Sequence, residues 1–358
     1  MTRKITRRDF LKGAATSATF RFAPLTTGLF AYPGPAALGS EKVQAGKASR
    51  STVVVVTDLK VVDGSWRVSP ERSALMVQSL LLSLTGASTV EDSWYRIIPE
   101  LKPTSRIAIK VNCINTSLPS HPEVTFAIAA TLKRAGVAEN NILIWDRYEG
   151  NIREGLFRCG YPINTSKRGI RCLAVNSSGV GFDEYTQLQV PSVRKNFSVT
   201  RIVSQMCDYM VNVSVLKDHS ISGVTLSLKN FYGAIPLGNE FALVDIKRMH
   251  KNYGNPQIAE LYNNPAIRDK TRLSVCDALL GCYQGGPTGR PQWVNYQLLA
   301  SLDPVALDSV GLRIIEEKRL QAGLASVTPM AGYIRAAANL GLGTENLDEI
   351  DIRSSILS

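Results

Sequence analysis

Residues 106–146 read RIAIKVNCINTSLPSHPEVTFAIAATLKRAGVAENNILIWD, and this stretch decides the fold class. Its two ends, 106–112 and 141–146, are short runs dominated by apolar and β-branched residues, the pattern of buried strands. Between them, residues 122–135 carry apolar side chains at helical spacing. Pro122 stands at the first helical position and Gly136 just past the last. Strand, helix and strand in about forty residues predict a βαβ unit with parallel pairing. Strands without a polar face predict a sheet covered on both sides.

The same alternation continues outward. Residues 51–57 (STVVVVT), 172–175, 209–217 (YMVNVSVLK) and 272–277 (RLSVCD) read as strands, and 298–302 as a short extended run. Helices are expected at 69–84, 221–231, 304–318 and 327–339, with Asp303 as an N-cap. The expectation is an α/β protein built on a mainly parallel multi-stranded sheet with helices on both faces. Residues 40–358 are expected to form a single domain. Residues 232–268, rich in Asn, Pro, Tyr and Lys, are expected to be a lid or insertion. No internal repeat is visible.

The chain has 358 residues and a formal charge of +11. Residues 1–39 hold six basic side chains and one acid, a surplus of five, so the remainder carries only six of the eleven. No clustered basic stripe is present, which argues against nucleic-acid binding. Thr6-Arg7-Arg8-Asp9-Phe10-Leu11-Lys12, followed by a mildly apolar stretch, reads as a twin-arginine export signal. The twin-arginine translocase is then the expected partner during export, and the periplasm or another exported location the destination. No run of about 18 apolar residues predicts a stable membrane span after signal cleavage. The six cysteines have no Cys-x-x-Cys spacing, so no iron–sulfur motif is present and any cofactor is left unidentified. Cys276 and Cys282 are the nearest pair and are open to bridging in an oxidising compartment.

Ligands of open α/β sheets bind beyond the carboxyl ends of the strands. Five segments place polar residues there. Lys110 and Asn112 share one face of a strand, and a lysine in an apolar strand needs a partner or ligand. Asp146 closes the next strand, either capping a turn or orienting a basic residue. Lys217 and His219 end a third strand, with Ser220 expected to cap a helix carrying Thr225, Lys229 and Asn230. A helix start beside Lys and His is an anion site. Asp277 ends a fourth strand before a glycine-rich loop that includes Gly285 and Gly286, a loop that is either a plain turn or a close backbone approach to a ligand. Asp308, among buried neighbours, wants a positive partner, for which Lys110, Lys217 and Lys229 are candidates. Neither a Gly-x-Ser-x-Gly elbow nor a Gly-x-Gly-x-x-Gly fingerprint occurs.

These segments carry a family resemblance. Lys110-Val-Asn112, His121-Pro-Glu123, Trp145-Asp146-Arg147, Lys217-Asp-His219 with Gly223-Val-Thr225, Lys229-Asn230-Phe-Tyr-Gly233, Gly285-Gly-Pro287 and Asp303-Pro-Val-Ala-Leu-Asp308 together resemble the domain-of-unknown-function 362 family, in its twin-arginine-exported branch. The likeness spans about residues 50–320. It implies no agreed activity. Ferredoxin-type cysteine motifs appended in some relatives are missing here, so cluster binding is not implied.

Three functions fit the residues. In the first, an enzyme acts on a small anionic or carbonyl-bearing molecule. Lys110, Lys217 and Lys229 hold its charge, and His219 is the general acid–base, oriented by Asp146, Asp277 or Asp308. The catalytic set is then His219, Lys217, Lys110 and Asp308. Asn112, Asp146, Thr225, Lys229, Asn230, Asp277, Gly285 and Gly286 bind the ligand. In the second, a redox accessory protein binds a metal or cofactor through His121, His219, His250 and acidic groups. In the third, a periplasmic protein holds an anion without chemistry.

Overall fold

The computed structural model describes residues 50–150, 155–237 and 243–358. The twin-arginine motif lies outside the described residues. Strands β1 (Ser51–Thr57), β2 (Ile107–Lys110), β3 (Ile142–Asp146), β4 (Arg171–Ala174), β7 (Tyr209–His219), β9 (Thr271–Cys282), β10 (Trp293–Ser301) and β11 (Ile350–Ile356) form one sheet in the order β11-β1-β10-β9-β7-β2-β3-β4. A short strand β8 (Gly223–Thr225) pairs off β7, while β5 (Phe182–Val190) and β6 (Lys195–Thr200) make a separate antiparallel hairpin. Pairs β2–β3, β2–β7, β3–β4, β7–β9 and β1–β11 are parallel; β1–β10 and β9–β10 are antiparallel. The sheet is therefore mixed but mainly parallel.

Both faces are covered, because the strands bury side chains on both sides. Val54, Val56, Ile107, Ile109, Ile142 and Ile144 belong to one core layer, with α1 (Pro70–Thr85), α2 (Val90–Ile97) and α3 (Pro122–Arg134). Val53, Val55, Ala108, Leu143 and Trp145 belong to the other. There they meet α4 (Ser227–Asn230), α6 (Gln257–Tyr262), α8 (Pro304–Gln321) and α9 (Tyr333–Asn339). Local sequence explains the helix starts. Ser69 accepts the Arg72 N–H and Asp303 accepts those of Val305 and Ala306, each followed by proline at the first helical position. No single helix among the described residues is long and apolar enough to cross a membrane. The segment 232–268 carries α5 (Leu243–Met249), α6 and α7 (Pro265–Arg268).

One expectation needs correction. The helix expected at 221–231 does not form. Strand β7 runs on to His219, turns, and returns as β8 before the single-turn α4. Gly223 explains the turn: its φ is +74°, and a Cβ there would meet the Val327 carbonyl at 2.8 Å. Ile221, the first residue of that expected helix, is 42% exposed, and Ser220 caps no helix. The sequence leaves open whether Cys276 and Cys282 bridge, and they do not. Both thiols are free and buried, Cys276 in one core layer and Cys282 in the other. The β5–β6 hairpin and β11 escaped notice because their half-exposed, polar-rich residues lack a clean apolar run.

Candidate functional site

The carboxyl ends of parallel strands β2, β3 and β7 surround a cavity of about 320 Å³. Its wall includes Lys110, Asn112, Asp146, Arg147, His219, Thr225, Lys229 and Asn230, with Tyr232, Gly233, Leu237, Ile246, His250 and Pro287. Register builds the wall: Lys110 lies opposite Trp145 on one side and Asn212 on the other. On β7, Lys217 is paired with Thr225 of β8.

Lys110 is 1% exposed and fully engaged. Its Nζ donates to Asp146 Oδ1 at 2.8 Å, to the Val111 carbonyl at 2.5 Å and to Asn230 Oδ1 at 3.2 Å. The other Asp146 oxygen accepts the Cys113 N–H at 2.5 Å. Asn230 also accepts from Asn112 Nδ2 and donates to Asn212 Oδ1, tying β2, β7 and α4 together. Gly233 gives this pair room, since a Cβ would come within 3.2 Å of both Asp146 and Lys110, a contact tight enough to displace them slightly. Lys217 sits behind this layer and is not on the cavity wall. Its Nζ donates to Asn112 Oδ1 at 2.7 Å, and burial lowers its pKa to about 8 against the pull of Asp146.

The opposite side of the cavity is built differently. Lys229 Nζ lies 2.9 Å from His250 Nε2 and 4.1 Å from the centre of the Tyr232 ring. It has no carboxylate partner among the described residues, and burial lowers its pKa to about 7. His250 Nδ1 is 2.9 Å from the Ile246 carbonyl, which fixes hydrogen on Nδ1 and leaves Nε2 as the acceptor facing Lys229. Burial and Lys229 lower His250 to about 4. His219 stacks on His250 with ring centres 5.4 Å apart. Tyr232 donates its hydroxyl to the Met249 carbonyl at 2.5 Å, so α5 and His250 are held over α4. The Thr225 hydroxyl is buried on the cavity wall with no hydrogen-bond partner among the described residues. Arg147 donates through one terminal nitrogen to the Ile235 carbonyl, while its buried Nε has no hydrogen-bond partner among the described residues.

Of the expected catalytic set, the structure brings Lys110 and His219 to one cavity, sets Lys217 behind Asn112, and removes Asp308. Asp308 accepts the N–H groups of Ser227 at 2.7 Å and Leu228 at 3.1 Å, so it caps α4 and pairs with no lysine. Burial raises its pKa to about 7 against those two donors. The acid–base role expected of His219 does not fit either. Its Nδ1 accepts the N–H groups of Ile221 and Ser222, both at 3.1 Å, and burial with Lys229, His250 and Lys217 lowers its pKa to about 2. His219 is thus a neutral ring carrying hydrogen on Nε2, a donor and not a base. None of Asp146, Asp277 and Asp308 orients it.

Among the expected ligand-binding residues, Asn112, Asp146, Thr225, Lys229 and Asn230 line the cavity; Asp277, Gly285 and Gly286 do not. Asp277 accepts the His121 N–H at 2.7 Å and lies 2.8 Å from His121 Nδ1. Burial alone would lower His121, but Asp277 raises it above its ordinary value. The N–H groups of Gly285 and Gly286 go to the Asp218 carboxylate, and a Cβ on Gly286 would strike the Asp218 carbonyl at 1.9 Å. The glycine loop packs against the end of β7, and the amides of Gly285 and Gly286 are taken by Asp218. Asp218, Arg147, Tyr232 and the placement of His250 against Lys229 were missed. Arg147 and Tyr232 stand inside the quoted motifs, but nothing local says which way they face.

Among the described residues, no three His, Cys, Asp or Glu side chains converge to hold a metal ion. The grouping of His121 with His219 and His250 does not occur, since His121 is held by Asp277 and is absent from the cavity wall.

No curated protein matches this chain. A crystal structure of a Thermotoga maritima protein is similar at 14% identity and a TM-score of 0.36. That likeness covers 66% of this chain and 58% of the other, too distant to transfer anything. Residues 107–313 match the family described as a domain of unknown function, DUF362, and include every cavity residue named above. With more than half its length inside that match, the chain belongs to the DUF362 family.

Proposed function

We propose that the protein is an enzyme acting on a small anionic, carbonyl-bearing molecule held in this cavity. One observation carries the reading. Arg147 and Lys229 reach the cavity without a carboxylate partner among the described residues, while the carboxylate on the wall, Asp146, is taken by Lys110. Such a cavity has surplus positive potential, and an anion entering it gains interactions that water no longer supplies to the buried groups. Thr225 and His219 add uncharged hydrogen-bonding groups, the Thr225 hydroxyl being without a partner. Lys229, with a pKa lowered to about 7, supplies an amine that is partly neutral at neutral pH, which suits chemistry at a carbonyl.

Thermal-shift measurements with oxalate, pyruvate and inorganic phosphate test the reading. At least one should raise Tm in the wild type, and Arg147→Ala should weaken that ligand on the order of tenfold to a hundredfold, the effect of losing a charge-assisted hydrogen bond. No shift with any of the three anions overturns it. We also propose export by the twin-arginine route. Its support is the Arg7-Arg8 motif, and its test is a reporter fused behind residues 1–39. Replacing both arginines by lysine should abolish export, and continued export would refute the route.

A further inference from the structure

We infer that Lys229 is a covalent nucleophile, forming an imine with the carbonyl carbon of an aldehyde or 2-oxo acid. This rests on the reading of the cavity as a site for a small carbonyl-bearing anion and names the bond made there.

Three buried lysines meet at this end of the sheet, and their partners separate them. Lys110 is saturated by a carboxylate, a backbone carbonyl and an amide oxygen. Lys217 gives its hydrogen to Asn112 and has no face on the cavity. Among the described residues, Lys229 is the one of the three that faces the cavity with no oxygen acceptor. Its partners are an imidazole nitrogen at 2.9 Å and an aromatic face at 4.1 Å. Among the described residues, no carboxylate pairs with it. His219 and His250 stay neutral, Arg147 is positive, and Asp146 is neutralised by Lys110. A lysine desolvated in this way loses its proton readily, the condition under which lysines serve as imine-forming nucleophiles. The His250 tautomer matters too. With Nδ1–H bound to Ile246, Nε2 accepts an amine hydrogen and leaves the Nζ lone pair free for attack.

The step balances without an oxidant or reductant. The Nζ lone pair attacks the carbonyl carbon, a C–N bond forms, and the C–O π pair moves to oxygen. The carbinolamine then expels that oxygen as water together with both amine hydrogens, leaving the imine. The Thr225 hydroxyl and the His219 Nε2–H, both on the cavity wall, are the uncharged groups available to the departing oxygen.

The experiment labels the full folded chain at pH 7 with limiting formaldehyde, and separately with limiting glyoxylate, each with cyanoborohydride, and maps modified lysines by mass spectrometry. Lys229 should be labelled about tenfold or more faster than the exposed lysines, because a pKa near 7 leaves far more neutral amine than one near 10.4. Lys217, also lowered but shut off from the cavity, should stay unlabelled. Labelling of Lys229 no faster than exposed lysines with both reagents overturns the proposal, even where anions raise Tm. Preferential labelling by formaldehyde without glyoxylate supports the nucleophile and overturns the anion reading, so the two failures are distinct.

Discussion

Lys110 and Lys229 lie on walls of one cavity, are both almost fully buried, and teach opposite lessons. Around Lys110 every hydrogen has an acceptor, and the charge is matched by Asp146 at 2.8 Å. Around Lys229 there is an imidazole and a ring, and elsewhere on the same wall a Thr225 hydroxyl with no partner among the described residues. A saturated buried charge holds elements together; an unsaturated one costs stability that a ligand can return. The Lys110 side fixes β2, β3, β7 and α4 in place, and the Lys229 side is where chemistry is available.

That contrast is open to breaking. The largest effect is expected at the saturated pair. Asp146→Asn or Lys110→Met should cost about 3–5 kcal/mol in urea unfolding, the loss on leaving one buried charge unpaired. Lys229→Met should cost far less or stabilise, while abolishing anion binding. Equal losses at the two lysines would erase the distinction. Next comes Asp308→Ala, which strands the Ser227 and Leu228 N–H groups and should cost about 1–3 kcal/mol. Because α4 carries Lys229 and Asn230, ligand affinity should fall with it; unchanged affinity would show that the cap does not set the site.

The pH dependence sharpens the comparison. Lys229 titrates near 7 in the folded chain and near its ordinary 10.5 when unfolded. Between those values the unfolded chain binds the extra proton, so the wild type should gain stability relative to Lys229→Met as pH rises from 7 to 10.5. Lys217 acts in the same direction between about 8 and 10.5 in both proteins and cancels in the difference. Asp308 acts oppositely: its stabilisation is full below 3.8 and lost by about 7. A flat difference between wild type and variant would place Lys229 in a less desolvated setting. The smallest effect is Thr225→Val. It should leave stability within about 1 kcal/mol, since no internal hydrogen bond is lost, yet weaken the ligand measurably. A large loss of stability would reveal a hidden partner for the hydroxyl.

Much of the frame was legible. Strands β1, β2, β3, β4 and β7 and helices α1, α3 and α8 fall within a few residues of their expected bounds, because apolar periodicity, proline and capping residues act over one or two turns. Lys110, Asn112, Asp146 and His219 are placed at strand ends by where the apolar runs stop, and alternation puts Lys110 and Asn112 on one face. The region after His219 was misread because Ile221, Val224, Leu228 and Phe231 satisfy a helical spacing that the β7–β8 pairing overrides. The chemical roles of His219 and Asp308 were misread for a different reason. Side-chain type indicates what a group can do, and only its partners indicate what it does.

By itself the sequence determined the α/β class, the two-sided burial of the strands, and the rim on which polar residues gather, since each follows from local pattern. Only the tertiary structure decided which lysine is saturated and which is not. Lys110 meets Asp146 across 36 residues and Asn230 across 120, Lys229 meets His250 across 21, and Asp308 reaches Ser227 across 81. Desolvation depends on everything packed around a group, and no short window of sequence contains that environment.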